Sequence, residues 1–153
     1  MSSSTSLERP PLVVDASVVI KWLLPEELSN RAHALLEAAT RERRALAGVA
    51  SLPMEVAQVI YQRGRKGDLT PSETDSALHL LHQLDIVTEP LPNLLLESIA
   101  FARDTGIKQI HDAQQIVLAR MLTTDLWTAD PVLHKNVSGS VPWVGWIGDF
   151  ETL

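Results

Sequence analysis

The 153-residue chain contains no cysteine, which excludes a disulfide framework, a thiol nucleophile and a thiolate metal site. No apolar run approaches the ~20 residues that a membrane-spanning helix needs, so no membrane partner is expected. Residues 1–11 hold serines and one leucine but no basic segment ahead of an apolar core, unlike a secretory signal peptide. They read as a disordered tail, with the folded domain over 12–153. A basic excess is missing as well. The formal net charge is −6, from 13 Lys and Arg against 19 Asp and Glu, which argues against nonspecific coating of nucleic acid. A nuclease stays open, because acids gathered around a metal inflate the negative count. No repeat or linker divides the chain, and 45% hydrophobic with 21% charged residues is the balance of one globular domain, expected in the cytoplasm.

What is present begins with Leu12-Val13-Val14-Asp15-Ala16-Ser17. A short run of β-branched and apolar residues behind Pro10-Pro11 predicts a strand buried on both faces. Asp15 then stands at its carboxyl end, where open α/β sheets place their ligand sites. Ser17 is the expected cap of a helix reaching Leu24, stopped by Pro25. A second helix is expected from Ser29, with Arg41, Arg43 and Arg44 near its end, and a short strand around Ala45–Val49. Leu52-Pro53-Met54-Glu55 opens a third helix, with proline in its first turn, that runs to the basic loop Gly64-Arg65-Lys66-Gly67.

Thr70-Pro71-Ser72-Glu73 is a capping box, and Ala77, Leu78, Leu81 and Leu84 form the apolar stripe behind it. A strand over Ile86–Glu89 and a helix from Leu94 to about Gly106 follow. Ile110, Ala113, Gln114, Val117, Leu118 and Met121 have helical spacing with one polar intruder. Leu126-Trp127-Thr128 is a short strand, Asp130-Pro131 starts a last helix, and Trp143–Ile147 reads as an edge strand. Strands alternating with helices predict an α/β fold: a three-layer α/β/α sandwich around a central parallel sheet.

Four acids share a position in this plan. Asp15 and Asp130 follow strands, and Glu55 and Asp112 lie in first turns of helices. Singly, each of the last three has an ordinary explanation, since acids there favour the helix by roughly 0.3–2 kcal/mol. Asp15 is different, because a charge at the end of a buried strand is costly unless paired. Lys21 is its only local counter-charge. Converging carboxylates repel and are best tolerated with protons or a divalent cation. Hard oxygen ligands favour Mg²⁺ or Mn²⁺ over zinc.

Val14-Asp15-Ala16-Ser17, Pro53-Met54-Glu55-Val56-Ala57, His111-Asp112-Ala113 and Leu126-Trp127-Thr128-Ala129-Asp130 stand in the order and approximate spacing of the PIN-domain nucleases. The chain resembles above all the VapC-type toxins of toxin–antitoxin pairs, from about Leu12 to Trp146. The resemblance implies an endoribonuclease whose acidic quartet is Asp15, Glu55, Asp112 and Asp130, holding Mg²⁺ or Mn²⁺, with Ser17 and Thr128 as supporting hydroxyls. It also implies an RNA substrate, a cognate antitoxin and a homodimer, with Leu23, Leu24 and the helix after Thr70 as contact candidates. The family often has aromatics where this chain has His111 and Gln115.

Other features have simpler meanings. Arg41, Arg43, Arg44, Arg63, Arg65 and Lys66 could flank an RNA path but suit solvated helix ends. His79 and His82 lack a third ligand, and Trp22, Trp127, Trp143 and Trp146 read as core or dimer contacts. Two other functions compete. A binding module would keep the fold without catalysis. An aspartyl phosphotransferase would use Asp15 as nucleophile, but lacks a second aspartate two residues on, where Ser17 stands.

Overall fold

The computed structural model describes residues 9–88 and 90–151. Most of the tail expected over residues 1–11, and Glu89 of the third expected strand, lie outside the described residues. Five parallel strands form one sheet: β1 (Leu12–Val14), β2 (Leu46–Ala47), β3 (Ile86–Val87), β4 (Leu126–Thr128) and β5 (Val144–Trp146), in the order β3-β2-β1-β4-β5. Among the described residues seven helices flank it, so the three-layer α/β/α sandwich is observed. They are α1 (Ala16–Leu23), α2 (Ser29–Arg41), α3 (Leu52–Arg65), α4 (Pro71–Gln83), α5 (Leu94–Thr105), α6 (Ile110–Met121) and α7 (Pro131–Val137). Right-handed crossovers put α1–α4 on one face and α5–α7 on the other. In keeping with that, α1 packs on α2 and α3, while α6 packs on α5 and β1.

The centre of the sheet is as apolar as β1 predicts: Val13 and Val14 are fully enclosed between the two helical layers. Burying each such side chain contributes about 1.5–3 kcal/mol. The strands are short because they need only cross this core. β1 lies between β2 and β4 and pairs with both. The chain therefore leaves β1 toward β2 and β3 and later returns to β4 on its other side. That makes the carboxyl ends of β1 and β4 the topological switch point, the crevice where such sheets bind ligands.

Local sequence chemistry sets most helix ends. Thr70 accepts from the Glu73 backbone N–H while Glu73 Oε1 accepts from the Thr70 N–H, each at 3.1 Å. Gly106 closes α5 at φ 76°, a left-handed conformation that glycine adopts without steric cost.

Several expectations are corrected. Asp15, not Ser17, caps α1, accepting from the Val18 N–H. α3 continues through Gly64 and Arg65, so the basic stretch is a helix end. On α6, Ile110 is exposed while Gln115, Ile116 and Ala119 are buried beside Ala113, Val117 and Leu118. The helix packs on both α5 and the sheet, which widens its buried face beyond one stripe. On α4 only Ala77 is fully buried. Leu23 and Leu24 are in the core and are not available as surface contacts. Among the described residues no helix is long and apolar enough to cross a membrane.

Candidate active site

Asp15 is 4% exposed and lies where β1 passes into α1. Both its oxygens are occupied: Oδ1 by the Ser17 hydroxyl and the Val18 N–H, Oδ2 by the Thr128 hydroxyl at the end of β4. The two hydroxyls also accept backbone donors, Ala129 N–H to Ser17 Oγ at 2.9 Å and Asp130 N–H to Thr128 Oγ1 at 3.0 Å. One buried carboxylate thus ties β1, α1 and the β4–α7 junction together. Lys21, expected as its counter-charge, instead pairs with Glu26 at 3.0 Å. With hydroxyls and an amide as its partners, Asp15 has its carboxyl pushed up to about 6. Burial is the main cause, opposed by the hydrogen bonds and reinforced by the charge of Asp130.

Asp130 uses Oδ1 to accept the Val132 and Leu133 N–H groups as the cap of α7. Its Oδ2 has no protein partner among the described residues. Asp112 lies in the first turn of α6 and is half-buried. Burial raises its carboxyl above the usual range, His111 opposes the rise, and the charges of Asp130 and Glu55 add to it. His111 Nε2 is 3.3 Å from Asp112 Oδ1. Glu55, in the first turn of α3, accepts from Ser51 Oγ at 3.1 Å. Each of α3, α6 and α7 turns an N-terminus toward these acids, and the helix dipoles favour the negative charge.

Asp112, the acid with no strand directly before it, and Asp130 line one cleft of about 470 Å³ between the α5–α6 link and α7. Asp15 does not line it. Glu55 joins the group electrostatically but does not line the cleft. Among the described residues no three His, Cys, Asp or Glu side chains gather closely enough to hold one ion. The expected four-ligand cage is therefore not formed. Two carboxylates opening on one cleft nevertheless fit Mg²⁺, which is usually bound through one or two carboxylates with waters and substrate phosphates completing its shell.

The other candidates stand apart from the cleft. Arg44 donates to Thr124 and to the Pro10 carbonyl, and Arg63 pairs with Glu26 at 2.9 Å. His79 and His82 are exposed on α4. Trp22 and Trp143 are structural, donating from Nε1 to the Ala32 and Ile116 carbonyls. Gln115 is buried with an unpartnered Oε1, and its contribution to the site is not explained by its contacts. Lys108 and Asn136 line the cleft and were not apparent from sequence, because a cleft wall is a tertiary property without a local signal.

The fold and the cleft define an α/β/α protein with an acidic crevice at the switch point of a parallel sheet. No family model matches the sequence, and no curated protein matches it. Among solved structures, it is similar to one described as the crystal structure of PAE2754 from Pyrobaculum aerophilum. The TM-score is 0.66 at 17% identity, over 91% of this chain and 92% of that one. At that identity the likeness establishes the fold alone.

Proposed function

We propose that this chain is a Mg²⁺- or Mn²⁺-dependent endoribonuclease of the PIN-domain type, acting in the cytoplasm as the toxin of a VapBC-like pair. The observation that carries this is electrostatic. Asp112 and Asp130, from separate elements, open on one cleft, and burial raises the carboxyls of Asp112 and Asp15, with the charge of Asp130 adding to both rises and that of Glu55 to the rise of Asp112. A fold keeps mutually repelling acids together at a ligand crevice when a cation is meant to relieve them.

Asp112 and the free Oδ2 of Asp130 would hold the ion, with Glu55 nearby. Asp15, enclosed and hydrogen-bonded, would act as a positioning residue that fixes the Asp130 backbone through Thr128. An ion there supplies Lewis acidity, lowering the pKa of water and neutralising charge on the phosphate under attack. The protein's part is to hold the phosphodiester in line and to exclude competing geometries. An aspartyl phosphotransferase fits poorly, since both Asp15 oxygens are engaged and shielded from solvent. A binding module without catalysis draws on the absence of a three-ligand cluster among the described residues.

Incubating labelled total RNA with the purified chain in Mg²⁺, Mn²⁺ or EDTA tests the proposal. Cleavage is expected with either metal, none with EDTA, and a loss of about 10–100-fold or more in Asp112→Asn and Asp15→Asn, the range seen when a metal site is disturbed. Metal binding by calorimetry with no cleavage of any RNA would favour the binding module. Undiminished cleavage by Asp112→Asn would sink the assignment.

A further inference from the structure

We propose that Lys108, on the link between α5 and α6, together with Asn136 of α7, receives a backbone phosphate of single-stranded RNA in the cleft above Asp112 and Asp130. The inference rests on the nuclease reading of that cleft and names what holds its substrate. An RNA strand in the cleft carries phosphates beyond the one that an ion on the two carboxylates would neutralise, and a cation among the lining residues answers that charge. Lys108 is the one cation among the cleft's lining residues, and among the described residues it forms no ion pair. Of the basic residues that the sequence offers as flanking groups, Arg44 is committed to Thr124 and Arg63 to Glu26, and none of the six lines this cleft.

Asn136 adds a neutral donor, so a phosphate between the two would gain a charge-assisted and an ordinary hydrogen bond. Ile107 and Val132 also line the cleft, and Val132 is 64% exposed, which gives a ribose face an apolar surface. A concave cleft beside a short helix admits a flexible strand. A duplex, held as a regular A-form helix, does not follow its curve.

Binding of a fluorescein-labelled single-stranded RNA, followed by anisotropy over a salt series in Mg²⁺ and in an Asp112→Asn background, separates binding from cleavage. Adding Lys108→Gln should weaken binding about fivefold and reduce the slope of log affinity against log salt by about 0.7, the signature of one lost phosphate contact on a single strand. Lys108→Arg should retain both affinity and slope. With the acids intact, Lys108→Gln should raise KM while changing kcat little, as expected for a group that binds ground state and transition state alike. Unchanged affinity and slope in Lys108→Gln, or tighter binding of duplex than of single strand, would overturn the inference and leave the nuclease reading standing. Lys108-dependent binding without any cleavage by the parent chain would overturn the nuclease reading and leave the phosphate site. No binding and no cleavage would overturn both.

Discussion

At the scale of single residues, Asp15 concentrates the physics of this protein. Enclosure pushes its carboxyl up to about 6 from an ordinary 3.8, so the folded chain binds a proton there more tightly than the unfolded chain does. The sign follows from linkage: a raised acid contributes stability at low pH, and that contribution is lost as pH rises from near 4 to near 6. The difference between those limits is about 3 kcal/mol, at 1.36 kcal/mol per unit. Urea unfolding of the metal-free chain between pH 4 and pH 7.5 should therefore show a component that weakens with rising pH. Asp15→Asn, which cannot ionise and is nearly isosteric, should remove that component. An identical pH dependence in the variant would mean that Asp15 is not the group responsible.

Among the elements, the helix starts are the most local features and the most legible. Proline announces α3, and proline with a capping residue announces α4 and α7, within a few positions, and the α4 box forms with both of its hydrogen bonds. Thr70→Ala should lower stability by about 1 kcal/mol, a fall in melting temperature of roughly 2–4 °C for a chain of this size. Ser72→Ala, exposed in the same turn, should stay within about 0.5 kcal/mol of the parent. Equal effects of the two substitutions in thermal melts would show that the cap contributes nothing. What escaped sequence reasoning was non-local. Lys21 lies in the last turn of the helix that Asp15 caps and finds Glu26, and α6 buries Gln115 because it is walled on two sides rather than one. Periodicity counts one face of a helix at a time, so it could not anticipate the second wall.

For the molecule as a whole, strand order brings four scattered acids within electrostatic reach of one another, although among the described residues no three of them close on one point. Asp15, Glu55, Asp112 and Asp130 come from separate stretches, and the β3-β2-β1-β4-β5 sheet gathers them at one edge. Order and spacing of the motifs made the candidate acids legible. Their unequal exposure was not, because it depends on how Ser17 and Thr128 close over Asp15 while Asp130 points outward. Without metal, the repulsion among these groups opposes folding, and unfolding relieves it by dispersing them. A cation that binds the folded chain alone must then stabilise it, by about 2.7 kcal/mol at a hundredfold excess over Kd. Scanning calorimetry with saturating Mn²⁺ should raise the melting temperature by roughly 5–10 °C over the EDTA-treated chain. Asp112→Asn should melt at or slightly above the parent in EDTA, having lost one repelling charge, and should respond weakly to Mn²⁺. An equal Mn²⁺ shift in parent and variant would place the ion away from the cleft. No shift in the parent would mean that the crevice gathers its acids without holding a metal.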